Sequence, residues 1–412
     1  MRSALVPALL LLSTVAAAGD VSFRWDKLPP LPPAPGESRQ PGVAGAFIGV
    51  HNGVLIVGGG ANFPGEPPWR GGAKAWRDEV FVMERTADGV FRWAGKVFRL
   101  PRAMGYGASF DTPEGVVCAG GCDGERAYSE VFLLSWDAEA RELRRTSLPP
   151  LPEPLCMMAG AQAGGALYLA GGFRSVANAK PTRTFWALDW TKRGTPAFRW
   201  DKLPPWPGPE RILPVSAGVD GRIFLFGGRA QEAGVPTKIL TDAQVFDPAT
   251  LSWRTLRNVN GWLRGGGDGW GVMGGTAVVL GGEVFFFGGS RGTFFMELED
   301  LDFEIAALKA RMGAADAGER ARLQGSLDAC LARKVEIQET HPGFAREILA
   351  YDTARDTWRV AGSLPFGSAV TTRAFWWGGA VVIPSGEISP GVRTDQVWRG
   401  VVSVEKTEGA GE

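Results

Sequence analysis

The side chains best suited to chemistry lie in one short segment near the C-terminus. Gly386-Glu387-Ile388-Ser389-Pro390-Gly391-Val392-Arg393-Thr394-Asp395 places a carboxylate ahead of a guanidinium in a stretch punctuated by glycine and proline. A carboxyl group can take or give a proton. A guanidinium can hold a carboxylate through paired charge-assisted hydrogen bonds. The same two residues could instead form a loop salt bridge that braces a turn. Arg102 and Arg211 are further guanidinium candidates, with backbone carbonyls as their alternative partners. With only His51 and His341, the chain has little from which to build a multi-histidine metal site. Cys118 and Cys122 bracket a Gly-Gly turn, where they either pair or stay as free buried thiols; Cys156 and Cys330 complete no disulfide framework.

The elements that must position these groups come from a repeat. A β-branched or aromatic run ending in Gly-Gly appears at Val54–Gly59, Val116–Gly121, Leu167–Gly172, Ile223–Gly228 and Val284–Gly289, with a worn copy at Val381–Gly386. Each is followed by a polar loop and a second apolar run, such as Glu79-Val80-Phe81-Val82. Then come a strand carrying Trp93, Trp200, Trp253 or Trp358 and often a Leu-Pro pair. This pattern resembles the kelch repeat, with four antiparallel strands per unit and tryptophan packed between neighbours. The expected fold is all-β, a six-bladed kelch-type β-propeller. With 58 Gly, 16 Trp and only 4 Tyr, the composition suits many tight turns and a few large packing anchors.

Two features depart from the plain repeat. Residues from about 297 to 341 are rich in Ala, Leu, Glu, Arg and Lys, with helical spacing broken at Gly313–Gly318. They read as a helical insertion between the second and third strands of blade five, either a cap or a lid. The block Phe23-Arg24-Trp25-Asp26-Lys27-Leu28-Pro29-Pro30 recurs letter for letter at Phe198–Pro205, the outer strand of blade three. Blade six has only three strands of its own, near 369–376, 380–383 and 395–401. The N-terminal block is therefore expected to supply its fourth and close the ring.

Residues 1–19 read as a signal peptide: Met1-Arg2, the apolar run Leu5–Val15, then Ala16-Ala17-Ala18. Export to the periplasm or the medium follows as an expectation, with residues 20–412 as a single propeller. No later stretch is apolar over the length of a membrane span. Lys plus Arg equal Asp plus Glu, at 44 each, so nothing electrostatic argues for nucleic acid.

The Gly386–Asp395 segment is similar to a motif of bacterial N-acetylneuraminate epimerases, also called sialic acid mutarotases. Val43–Phe47 followed by Gly58-Gly59-Gly60-Ala61-Asn62-Phe63 looks like another block of that family. Arg102–Gly107 and Pro209-Glu210-Arg211 match further blocks, and the helical insertion resembles one the family carries. The blocks stand in circularly permuted order. The resemblance implies interconversion of the α and β anomers of N-acetylneuraminate by acid/base ring opening, with no cofactor and an acidic sugar as the small-molecule partner. Glu387 and Arg393 would be catalytic, while Arg102, Arg211 and Asn62 would contact substrate. Connections between blades and loops joining second to third strands open on one face, so these charges are expected around one central mouth. One departure is that Gly269-Trp270-Gly271-Val272 stands where a His is expected in the first strand of blade five.

Other charges read as structure. Lys74, Glu125 and Arg126 read as solvated loop charges. Asp78, Asp242 and Asp395 recur just before third strands, which suits a repeated turn. The competing function is a non-catalytic exported propeller that binds glycans or proteins. A copper radical oxidase lacks the needed His and Tyr. A sialidase-type propeller is disfavoured by the absence of Asp-box repeats.

Overall fold

A computed structural model describes residues 19–232, 235–262, 271–290 and 292–406. The leader expected over residues 1–19 lies outside them except for Gly19, which opens the first strand. Six antiparallel sheets are arranged as blades, each running from an inner to an outer strand. The inner strands are Phe47–His51, Ala108–Thr112, Ala159–Ala163, Val215–Val219, Thr276–Leu280 and Phe375–Trp377.

The double glycines have a common physical cause. In blade one the pair equivalent to the others is Gly59-Gly60, one residue beyond the Gly58-Gly59 read from the sequence, and the first residue of each pair is left-handed, with φ between 54° and 76° at Gly59, Gly120, Gly171, Gly227 and Gly288. Ser385 holds the same conformation in the worn copy, at φ 57°. The second residue brings the chain against the entry to the inner strand. A Cβ at Gly60 would lie 2.8 Å from the Ala44 carbonyl oxygen, and one at Gly386 would lie 2.9 Å from that of Val370. Only glycine fits such an approach.

At that entry the six blades are tied by a closed ring of backbone hydrogen bonds. The amide of Tyr106 donates to Gly45, Met157 to Tyr106, Leu213 to Met157, Gly274 to Leu213, Thr371 to Gly274 and Gly45 to Thr371, at 2.7 to 2.9 Å. Each ring member is left-handed, with φ from 50° to 70°. This ring forms the throat of a central channel whose cavity of about 430 Å³ is lined by the inner strands. Within the channel, Arg373 of blade six forms a bidentate pair with Asp111 of blade two and also donates to the Ile48 carbonyl of blade one.

Tryptophan and Leu-Pro motifs are two halves of one joint. The indole of Trp93 donates to the Pro29 carbonyl at 3.1 Å, Trp200 to Pro149 at 3.2 Å and Trp253 to Pro204 at 2.8 Å. In each of these three cases the carbonyl belongs to the preceding blade, so the joint packs an aromatic ring and satisfies its N–H together.

The ring closes as expected. Gly19–Leu28 pairs antiparallel with Val397–Lys406, in the register Trp25 with Gly400 and Leu28 with Val397. Phe23 and Trp25 pack edge-on against Phe287 of blade five. The first strand of blade six starts at Phe375 rather than 369, because Thr371 is taken into the throat ring. The first strand of blade five begins at Thr276, so Gly271 and Val272 precede it; Gly269 and Trp270 lie outside the described residues.

The insertion forms two helices, Thr293–Met312 and Ala317–Thr340, joined near Gly313. It leaves blade five between its second and third strands and carries a small core of Ile305, Leu308, Leu323, Leu327 and Cys330. The pair lies over the throat side of the ring. Glu299 pairs with Arg229 of blade four at 3.3 Å, and Glu339 pairs with Arg70 of blade one at 2.7 Å.

Candidate functional site

The residue after each double glycine lies beside the throat. These are Ala61, Cys122, Phe173, Arg229, Ser290 and Glu387 in blades one to six. Five are bridged to the residue just before a throat member: Ala61 to Ala44, Cys122 to Gly105, Phe173 to Cys156, Arg229 to Ile212 and Glu387 to Val370. The mouth is therefore two-sided. Ala61, Tyr106, Cys122, Cys156, Phe173 and Ile212 form an apolar cluster on one side, with Trp76, Met157 and Leu213 packed on it. Arg229, Ser290 and Glu387 occupy the other.

Glu387 and Arg393 face each other across a tight hairpin, Glu387–Ser389 with Val392–Arg393. The Glu387 carboxylate accepts on Oε1 from the Gly391 amide at 2.8 Å and from Arg393 Nη1 at 3.3 Å. Its Oε2 has no hydrogen-bond partner among the described residues. The Glu387 side chain is 18% exposed and that of Arg393 only 5%. The guanidinium of Arg393 also lies over the Phe63 ring, 4.8 Å from its centroid. The hairpin is fixed from behind by Ser385, whose hydroxyl accepts from the Val43 amide and reaches the Thr394 carbonyl. The outcome is a carboxylate with one oxygen anchored and one open.

The other expected contacts are divided. Arg102 is on the same face, paired with Glu130 at 2.7 Å and stacked over Tyr128 at 4.7 Å. Burial alone would raise the Asp123 carboxyl, but the Tyr128 hydroxyl that donates to it, the Arg126 and Glu125 amides and the nearby Arg126 charge together hold it below its usual range. Asn62 is fully buried and donates to the Gly42 carbonyl at 3.0 Å, holding the segment that backs the Glu387 hairpin. Arg211 is fully buried as well. Its guanidinium makes a bidentate pair with Asp242 at 2.9 and 2.7 Å, donates to the Gly227 carbonyl and lies over Trp206. None of Glu387, Arg393, Arg102 and Arg211 lines the channel cavity, so the charges share one face of the ring without sharing that cavity.

With every Nη of Arg211 engaged inside the protein, its substitution tests stability. Arg211→Met leaves Asp242 without its partner, and a broken buried pair is strongly destabilising. Because the Asp242 side chain is 28% exposed, the expected loss is held to about 3 kcal/mol, near the lower end of that range. Urea unfolding checks it; a midpoint equal to that of the parent would show that the pair braces nothing.

Arg229 is a mouth residue that sequence reasoning missed. Its signal was present, since it follows Gly227-Gly228 as Glu387 follows Ser385-Gly386, but the loop lengths conceal the equivalence. The four cysteines are free and buried. Cys118 and Cys122 are not joined; instead Cys156 lies against Cys122, with burial and their hydrogen bond both pushing its thiol upward.

A sequence model of the N-acetylneuraminate epimerase family matches residues 12–143 and 148–409. A stretch of 131 residues is 41% identical to the N-acetylneuraminate epimerase of Brucella melitensis biotype 1, covering 29% of this chain and 32% of that protein. Against the N-acetylneuraminate epimerase of Haemophilus influenzae (strain 86-028NP), identity is 26% over 257 residues, 61% of this chain and 58% of that one. The aligned stretches thus span about a third and somewhat over half of these relatives. The solved structure of YjhT superposes with a TM-score of 0.56 at 14% identity, covering 92% of this chain and 99% of that one, a likeness of fold. Matched along nearly its whole length, this six-bladed propeller belongs to the N-acetylneuraminate epimerase family.

Proposed function

We propose that the protein is a sialic acid mutarotase, interconverting the α and β anomers of N-acetylneuraminate at the mouth around Glu387. The observation that carries this is the Glu387 carboxylate, anchored through Oε1 to Gly391 and Arg393 while Oε2 stays open. Ring opening removes a proton from the anomeric hydroxyl and delivers one to the ring oxygen, and closure on the other face reverses both transfers. A single carboxyl group that is fixed in place can serve each direction in turn. Arg393 keeps that carboxyl oriented. The apolar side of the mouth, with Phe173, Met157 and Leu213, suits the acetamido methyl group. The leader-like start of the chain fits action outside the cytoplasm, and export is part of the proposal.

The test uses α-N-acetylneuraminate freshly released by a sialidase, with anomer ratios followed by proton NMR. Acceleration of the α-to-β change over buffer alone is expected. A rate equal to that of buffer would favour the competing function, a propeller that only binds glycans or proteins.

A further inference from the structure

Blade one sends a small hairpin across the mouth. Ala61 pairs with Trp76 and Asn62 with Ala75, so the next opposed pair is Phe63 and Lys74. Alternation along each strand puts Ala61, Phe63, Lys74 and Trp76 on one face. Phe63 meets the Arg393 guanidinium at one end of that face. At the other, Trp76 stands edge-on to Tyr106, which is a throat member and lines the channel cavity.

Lys74 is held between two aromatic rings. Its ammonium lies 4.6 Å from the ring centroids of both Trp76 and Tyr106. No carboxylate stands within ion-pair distance of it among the described residues, whereas Arg393, Arg102, Arg229, Arg211 and Arg70 each have one. Two π faces attract the ammonium but do not neutralise it. The position selects a charge, holds it beside the throat and leaves its outward side open. A lysine ammonium is a compact point charge with donors to spare. The half-buried Trp76 beside it offers a flat, electron-rich surface to the positively polarised C–H bonds of a sugar ring.

We propose, resting on the acid–base reading of Glu387 above, that Lys74 binds the substrate carboxylate and that Trp76 is the platform for its ring. The ligand class is a sugar acid whose carboxylate is on or next to the reacting carbon. Bound that way, the anomeric carbon lies on the same hairpin face as Phe63 and Arg393, toward Glu387. Lys74 is then the residue that distinguishes the acid from its neutral counterpart.

Calorimetric titration with N-acetylneuraminate and with its methyl ester tests this on the parent protein, Lys74→Met, Lys74→Arg and Trp76→Leu. The parent is expected to bind the acid at least tenfold more tightly than the ester. Lys74→Met should lose that preference, with ester affinity unchanged, and Lys74→Arg should restore most of it. Trp76→Leu should weaken acid and ester by similar factors. If the parent prefers the acid and Lys74→Met keeps the preference, the assignment of Lys74 is overturned while the mutarotase reading stands. If the parent binds neither compound, both fall together. Thermal melting of each variant shows whether a lost signal reflects lost folding, and because Lys74 is exposed its variants should melt with the parent.

Discussion

Glu387→Gln is expected to remove most of the acceleration of N-acetylneuraminate mutarotation, a loss of about 10²–10⁴-fold, the usual worth of positioned acid–base catalysis. The amide is nearly the same shape, so its oxygen can still accept from Gly391. It cannot carry a proton to or from the sugar. The change also leaves the nearly buried Arg393 without its counter-charge, at a cost of about 1–3 kcal/mol. Rates are therefore compared well below the melting temperature, with folding checked by circular dichroism. Arg393→Lys complements the test, because it keeps the positive charge but loses the forked geometry; a smaller loss than for Glu387→Gln is expected. A Glu387→Gln protein with the parent's NMR rate would remove Glu387 from the chemistry.

Deleting residues 19–28 is expected to abolish the cooperative fold. The strand contributes a ten-residue ladder with Val397–Lys406 and the aromatic contacts of Phe23 and Trp25 with Phe285, Phe287 and Phe366. Each large side chain so placed is worth about 1.5–3 kcal/mol when fully buried. Half-buried Val21, Phe23 and Trp25 and buried Leu28 together supply a sizeable part of the stability of an ordinary domain, about 5–15 kcal/mol. The deletion also bares the edge of Val397–Lys406 and an apolar flank of blade five, which invites pairing between chains. Size-exclusion chromatography should show aggregate, and near-ultraviolet circular dichroism should lose its aromatic signal. A monomer melting within a few degrees of the parent would mean that the seam does not need this strand.

Most of the fold was legible because the repeat encodes its own joints. The Gly-Gly pairs mark a backbone approach that admits no side chain. The Trp and Leu-Pro motifs mark the two sides of one inter-blade hydrogen bond. The letter-for-letter recurrence of Phe23–Pro30 at Phe198–Pro205 told which strand the N-terminus must be. The worn sixth copy was recognisable because only one glycine is replaced, by a serine able to take the same positive φ.

The site was legible in its centre and not at its edges. Glu387 and Arg393 are close in sequence and share a hairpin, so their spacing alone suggested that they meet. Arg102, Arg211 and Lys74 are each one guanidinium or ammonium in a connecting segment, Arg229 is one at the end of a strand, and nothing local distinguishes a clamp from a brace. Asp242, read as a repeated turn residue, holds Arg211 from another strand, and Lys74, read as a solvated charge, stands against two rings.

By itself, then, the sequence determined the number of blades, the closure by the first strand, the place of the helical insertion and the family motif around Glu387. These follow from interactions between near neighbours or from repetition, and both leave a pattern in the order of residues. Only the tertiary structure decided which charges are spent inside the protein and which stay open, and that the inner-strand entries join in one ring of backbone bonds. Those outcomes depend on which loops of different blades come together, and that is a property of the closed ring and not of any one unit.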